Sequence, residues 1–435
     1  MSEASDLVRV CRTTASIRIS ALLLAGGFVW SCASPAAAGI GLATSSASRA
    51  PGSLQEASTA ATDVTAFGLD VYGKIAALEG NLVFSPTSIA IALAMADAGA
   101  RGETATQMDM VLHIDSGAAS GAGFGSLDEA LAAVSGRFTD SAGNVQEVSL
   151  RIANAPVAQS GMHVEQAYLD TLASRYGAGL RLVDYRNDAD GACQLIDDWV
   201  RAQTENRIPK LLDQLSPLTR LVLVNAIYLK APWLEPFSAT VTTPADFTRP
   251  DGTTVSVPTM RDASNKPYAA GAGWQAVELP YVGGSLAMTI IVPDDMAAFE
   301  KSLNAAKFAS ITNALQPATV DLSMPRFKTE TKTDLAALLA GLGMPLAVDP
   351  DRADFSGITS DERLYISHVV HQANIEVDEN GTAASAATAV EMAVATAAPM
   401  KAVTLRVDRP FLFALRDKRT GAILFLGRIV DPAAA

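Results

Sequence analysis

An α+β fold is predicted by three features of the 435-residue sequence. Helical periodicity dominates its first half, β-branched runs dominate its second, and a composition 49% apolar and 18% charged can bury a large core. Apolar residues recur at three- and four-residue spacing over 63–78, 88–100, 126–138, 165–178, 192–204 and 332–344, which predicts helices. Runs rich in Val, Ile, Thr and aromatic residues over 220–231, 275–282, 286–293, 319–331, 366–378, 402–415 and 422–431 predict strands, several of them bounded by Gly, Pro or Asp. Between residue 61 and Pro432 there is neither a linker nor a repeat of fixed period, so 62–435 is expected to be one domain.

The first 38 residues read as a transport signal. Arg9, Arg12 and Arg18 precede the apolar run ISALLLAGGFVW, which is shorter than the roughly 20 residues of a membrane-spanning helix. Two processing routes stay open: cleavage after Ala38, or retention of Cys32 as a lipid-bearing first residue, with the bulky Trp30 arguing against the second. A start codon placed too far upstream of a shorter signal is a third reading. The protein is accordingly expected to be secreted, extracellular or lipid-anchored. Residues 39–61 are small and polar, without an apolar period, and predict a flexible tether.

Charge and cysteine content exclude several classes of function. With 33 basic against 46 acidic residues the net charge is −13, and no basic block is present, so nucleic acid is not an expected partner. Three cysteines cannot build a disulfide framework, and no Cys/His spacing suggests a metal site. No GxSxG elbow accompanies the four histidines. His368 and His371 lie three apart on an expected strand and so face opposite sides of it. Cys193 falls on the apolar face of a helix and reads as a buried small hydrophobe. The run GAGFGS (121–126) follows no strand and reads as a loop. Neither an enzyme active site nor a cofactor is expected.

Residues 381–399, GTAASAATAVEMAVATAAP, carry one charge in nineteen and no large aromatic residue. Thr, Val and the leading Gly weaken helix formation, and no regular polar face is present. Such side chains suit a strand small enough to enter a sheet that has already formed.

VDENGTAASAATA resembles the reactive-loop hinge of inhibitory serpins. LRVDRPFLFAL (405–415) and ILFLGRIVDP resemble the close of that family's chains, NLVFSPTSIAIALAMADAGARGET (81–104) its second-helix region, and LVLVNAIYLKAPWLEPF (221–237) the strand leading to its buried tryptophan. VELPY and TIIVP follow in the family's order, and the resemblance spans residues 62–432.

The resemblance implies about nine helices around three β-sheets, with an exposed reactive-centre loop over about 379–403. It implies a monomer that inhibits a target serine protease, or a papain-like cysteine protease, as a covalent 1:1 complex in which the cleaved loop enters the central sheet. Hinge positions fall on Glu379, Gly381, Thr382, Ala383, Ala384, Ser385, Ala386, Ala387 and Thr388, with Thr382 and Ala384 among the first side chains to be buried. Ser85, Ser88, Asn225 and His371 match the polar cluster beneath the parting strands, and Trp233 the tryptophan at the entry point. Counting sixteen residues from Glu379 puts the scissile bond at Ala395–Thr396, with Val394 and Met392 as neighbours; counting back from Pro410, along a stretch four residues longer than a common family spacing, gives Pro399–Met400. A small apolar residue there suits an elastase-like or subtilisin-like pocket. The alternative is a non-inhibitory serpin acting as a carrier or binding module, although such members often carry bulky, charged or Pro residues in a hinge that here has none.

Overall fold

The computed structural model describes residues 40–114, 121–140, 143–383 and 402–434. The first half runs β1 (Gly41–Ala43), α1 (Leu54–Ile75), β2 (Leu82–Phe84), α2 (Pro86–Asp97), α3 (Gly102–Val111), α4 (Ala122–Ala132), β3 (Gly136–Thr139), β4 (Val145–Gln159), α5 (Gln166–Thr171), β5 (Leu180–Val183), α6 (Ala189–Gln203) and β6 (Leu221–Pro232). There follow β7 (Thr243–Thr248), β8 (Thr254–Gly271), β9 (Trp274–Pro280), β10 (Leu286–Pro293), α7 (Met296–Ser302), α8 (Ala305–Asn313), β11 (Gln316–Pro325), β12 (Phe327–Asp334) and α9 (Ala336–Leu342). β13 (Ile366–Val377), β14 (Gly381–Thr382), β15 (Val403–Arg406), β16 (Phe411–Asp417) and β17 (Ile423–Ile429) complete the described chain. Nine α-helices are thus present among the described residues.

Hydrogen bonding gathers the strands into an eight-stranded sheet, β1-β5-β4-β6-β14-β13-β12 with β3 on β4, and a nine-stranded one, β15-β11-β8-β9-β10-β16-β17-β2 with β7 on β8. Two continuous ladders therefore hold what the resemblance divides among three sheets. The 18-residue β8 makes the connection, pairing with β7, then β11, then β9 along its length.

The near-continuous apolar run of β6 is explained by cover on both faces. Leu221, Leu223 and Ile227 pack into the larger core with α1 and α2, whereas Val222, Val224 and Ala226 pack with Ala192, Cys193, Ile196 and Val200 of α6 in a smaller one. Cys193 is a free, buried thiol.

Four expectations are corrected. The segment 39–61 is not a tether over its described length: β1 pairs antiparallel with β5, Arg49 binds the Asp128 carboxylate and the Gly125 carbonyl, and α1 begins at Leu54. Its apolar period is carried by Ala57, Ala60, Ala61 and Val64, small side chains that still meet the core at helical spacing. GAGFGS is not a loop either. Gly121 caps α4 in the left-handed region (φ 81°), and at Gly125 a Cβ would stand 2.5 Å from the Arg175 carbonyl oxygen, so the glycines permit close helix approach. Finally, the helix expected over 126–138 stops at Ala132 and gives way to β3, and β12 takes the start of the one expected over 332–344.

Ser53 and Glu56 form a capping box at the start of α1: the Glu56 amide donates to Ser53 Oγ (3.2 Å) and the Ser53 amide to Glu56 Oε2 (3.1 Å). Ser53→Ala is expected to lower stability by about 1 kcal/mol, read as a reduced denaturation midpoint at fixed pH.

Candidate functional site

The central sheet contains a parallel seam. β13 pairs with β6 from Ile366↔Leu221 to Ala373↔Ile227, and above that point the two strands separate. Into the gap fits β14, antiparallel to both, with Thr382 opposite Ala231 on one side and Val377 on the other.

A tight reversal puts β14 there. The Asp378 carboxylate accepts from the amides of Asn380 (2.7 Å) and Gly381 (3.2 Å), while the Asp378 amide donates to the Gly381 carbonyl (3.0 Å). Gly381 has φ 148°, and a Cβ on it would lie 2.2 Å from the Ala231 carbonyl oxygen, so the position requires glycine. Ala383 also has positive φ, 47°, and its amide donates to the Glu376 carbonyl at 2.9 Å.

Side chains of three other segments hold this reversal. The Trp233 indole N–H donates to the Asp378 carbonyl (2.9 Å), and its ring stacks on Tyr281 at 4.3 Å. The Tyr281 and Thr382 hydroxyls bond each other at 2.5 Å, and Thr382 is only 1% exposed. Buried Glu379 accepts from Arg326 Nε (2.9 Å) and Nη2 (2.6 Å) and from Thr242 (2.5 Å). Burial alone would raise the Glu379 carboxyl, but the Arg326 and Thr242 hydrogen bonds outweigh it and hold it below its ordinary value.

Lower in the seam lies a closed polar cluster. The Ser85 amide donates to His371 Nε2 (3.1 Å), so the ring proton sits on Nδ1 and is donated to Asn225 Oδ1. Asn225 Nδ2 donates to Ser88 Oγ (2.6 Å) and to Asn154 Oδ1 (2.7 Å). Ser88 Oγ donates to Asn154 Oδ1 (2.8 Å), and Asn154 Nδ2 returns a bond to the Ser88 carbonyl (3.0 Å). Burial pushes the His371 imidazole down to about 3, in keeping with a neutral ring that accepts from an amide.

The structure therefore brings Ser85, Ser88, Asn225 and His371 together, and places Glu379, Gly381, Thr382, Ala383 and Trp233 about one reversal. Ala384, Ser385, Ala386, Ala387, Thr388, Met392, Val394, Ala395 and Thr396 lie outside the described residues. His368 stands on the other face of β13, where its Nδ1 meets Asp334 at 2.6 Å. Sequence reasoning missed Asn154, Tyr281, Arg326 and Asp378; for Asn154 the available signal is an amide standing alone in the alternation RIANAPVA. Among the described residues no group of three His, Cys, Asp or Glu side chains could hold a metal ion.

Together these features define an α+β protein whose large mixed sheet has a parallel seam, a short antiparallel wedge in its upper end and a polar cluster beneath. The family model Serpin (serine protease inhibitor) matches residues 62–432. A serpin-like protein of Thermococcus kodakarensis is 38% identical over 377 residues, covering 85% of each chain. The human leukocyte elastase inhibitor is 33% identical over 387 residues, covering 85% of this chain and 98% of its own. The native-state structure of the thermophilic serpin tengpin superposes with a TM-score of 0.78 at 26% identity, covering 91% of this chain and all of that one. The chain belongs to the serpin family of serine protease inhibitors.

Two predictions follow from the cluster. Asn154→Ala leaves the Asn225 amide and the Ser88 hydroxyl each short of a buried partner and is expected to lower stability by roughly 1–3 kcal/mol, measured by denaturant unfolding. His371 is neutral when folded and takes up a proton when unfolded below about 6.5, so it lends stability that is complete above that pH and is lost as pH falls toward 3. The unfolding free energy is expected to drop by up to about 1.4 kcal/mol per pH unit between pH 6.5 and 5, and His371→Gln to flatten that slope.

Proposed function

We propose that the protein is a suicide inhibitor of serine endopeptidases with elastase-like or subtilisin-like specificity pockets, its loop over about 379–403 serving as bait. The protease serine oxygen attacks the Ala395 carbonyl carbon. The Ala395–Thr396 bond breaks, the Thr396 amine departs with a proton, and the ester to the enzyme remains. The freed strand then lengthens β14 downward between β6 and β13, carrying the acylated protease away before water can release it.

The observation that carries this reading is the position of β14: Gly381 and Thr382 already occupy the ladder between the two strands that would have to part. The residues that would follow are small and uncharged through Thr388, as burial between strands demands. The relatives named as elastase inhibitors support the same target class. Export through residues 1–38, by cleavage after Ala38 or lipidation at Cys32, belongs to the proposal, as does action of the monomer in a 1:1 complex.

Incubation with pancreatic-type elastase and with subtilisin tests it. An SDS-stable adduct and a released peptide beginning at Thr396 are expected; a peptide beginning at Met400 moves the scissile bond, and cleavage without adduct favours a carrier or binding module. Thr382→Arg would bury an unpaired charge beside Tyr281. This variant is expected to be cleaved as readily while its adduct yield falls at least tenfold on denaturing gels.

A further inference from the structure

At the edge of the central sheet β4 runs past the end of β5. Their pairing starts only at Val157, so the stretch from Ser149 to Pro156 has β6 on one side and no strand on the other among the described residues. A cavity of about 410 Å³ opens there, within the range of small-molecule sites. Leu42, Ile152 and the ring of Trp199 give it apolar walls, and Arg49, Asn154 and Arg181 also line it.

The polar atoms around this cavity are unbalanced. Trp199 Nε1 is enclosed without a hydrogen-bond acceptor, and so is Arg49 Nε. The Arg181 guanidinium lies 4.2 Å over the Trp199 ring, and among the described residues no carboxylate stands within ion-pair distance of it. Arg181 is half-buried, and that burial pulls it below its ordinary value. Arg49, by contrast, spends its charge on Asp128. No Asp or Glu is among the lining residues. A half-buried cation facing an apolar groove without an acidic residue favours an anionic ligand that brings its own apolar body.

We infer that this cavity is a binding site for a small amphipathic carboxylate, whose anionic head meets Arg181 and whose apolar body lies along Leu42, Ile152 and the Trp199 ring. A ligand here binds the native state alone, since its walls come from β1, β4, β5 and α6, and so stabilises that state by mass action.

The probe is decanoate below its micellar range, titrated into ¹⁵N-indole-labelled protein, with the Trp199 resonance identified by its loss in Trp199→Phe. A saturable shift of that resonance and a decanoate-dependent rise in melting temperature are expected. Arg181→Met is expected to weaken binding at least tenfold, while Arg181→Lys, which keeps the cation, stays closer to the parent and separates loss of charge from loss of fold. No saturable shift, equal binding by Arg181→Met, or equal binding of 1-decanol overturns the inference. Because the readout is Trp199 and not protease trapping, failure of the inhibitor reading leaves this result standing, and the reverse.

Discussion

Everything in this molecule turns on one parallel pairing, β6 against β13, and on the neutral hydrogen bond from His371 to Asn225 that spans it. Parallel ladders are slightly less stable per residue than antiparallel ones. β14 is antiparallel to both flanking strands, so extending it downward would exchange one parallel interface for two antiparallel ones. The polar cluster sets the resistance to that exchange. Its members, all buried except the half-buried Asn154, satisfy one another, and none can be withdrawn without stranding another, so parting the seam costs hydrogen bonds.

At the upper end of the seam the two residues of β14 lie between the flanking strands. Gly381 is tolerated against the Ala231 carbonyl because it lacks a Cβ, and Glu379 is held by Arg326 and Thr242 so that the chain reverses at this residue and no lower. Trp233 and Tyr281 close the space above Thr382. The same contacts thus fix the position of β14 at the top of the seam.

Much of this was legible in the residues. β6 is a near-continuous apolar run interrupted by Asn225, whereas half of β13 is polar; Asn225 and His371 were matched through the resemblance, and the structure supplies the partners that buried polar residues require. The hinge was placed through the resemblance; of its positions the structure puts Gly381 and Thr382 in the seam, and 384–388 lie outside the described residues. β4 was not, although it forms the wall on which Asn154 sits. Its burial is irregular, and Pro156 breaks the strand pattern; the structure tolerates Pro156 because β5 pairs only from Val157 onward. The polar residues of β8 hid it in the same way. β1 and the start of α1 were read as a tether because alanine and glycine carry too little apolar contrast to register as a period, although Ala57, Ala60 and Ala61 are fully engaged with the core.

The most direct test is the crystal structure of the protein after cleavage in its loop. This account predicts a new strand continuing from Thr382 between β6 and β13, with Asn225 and His371 moved from neighbouring strands to strands about 10 Å apart, twice the ordinary strand spacing. A cleaved protein in which His371 remains paired with Asn225 across an unbroken seam would contradict it.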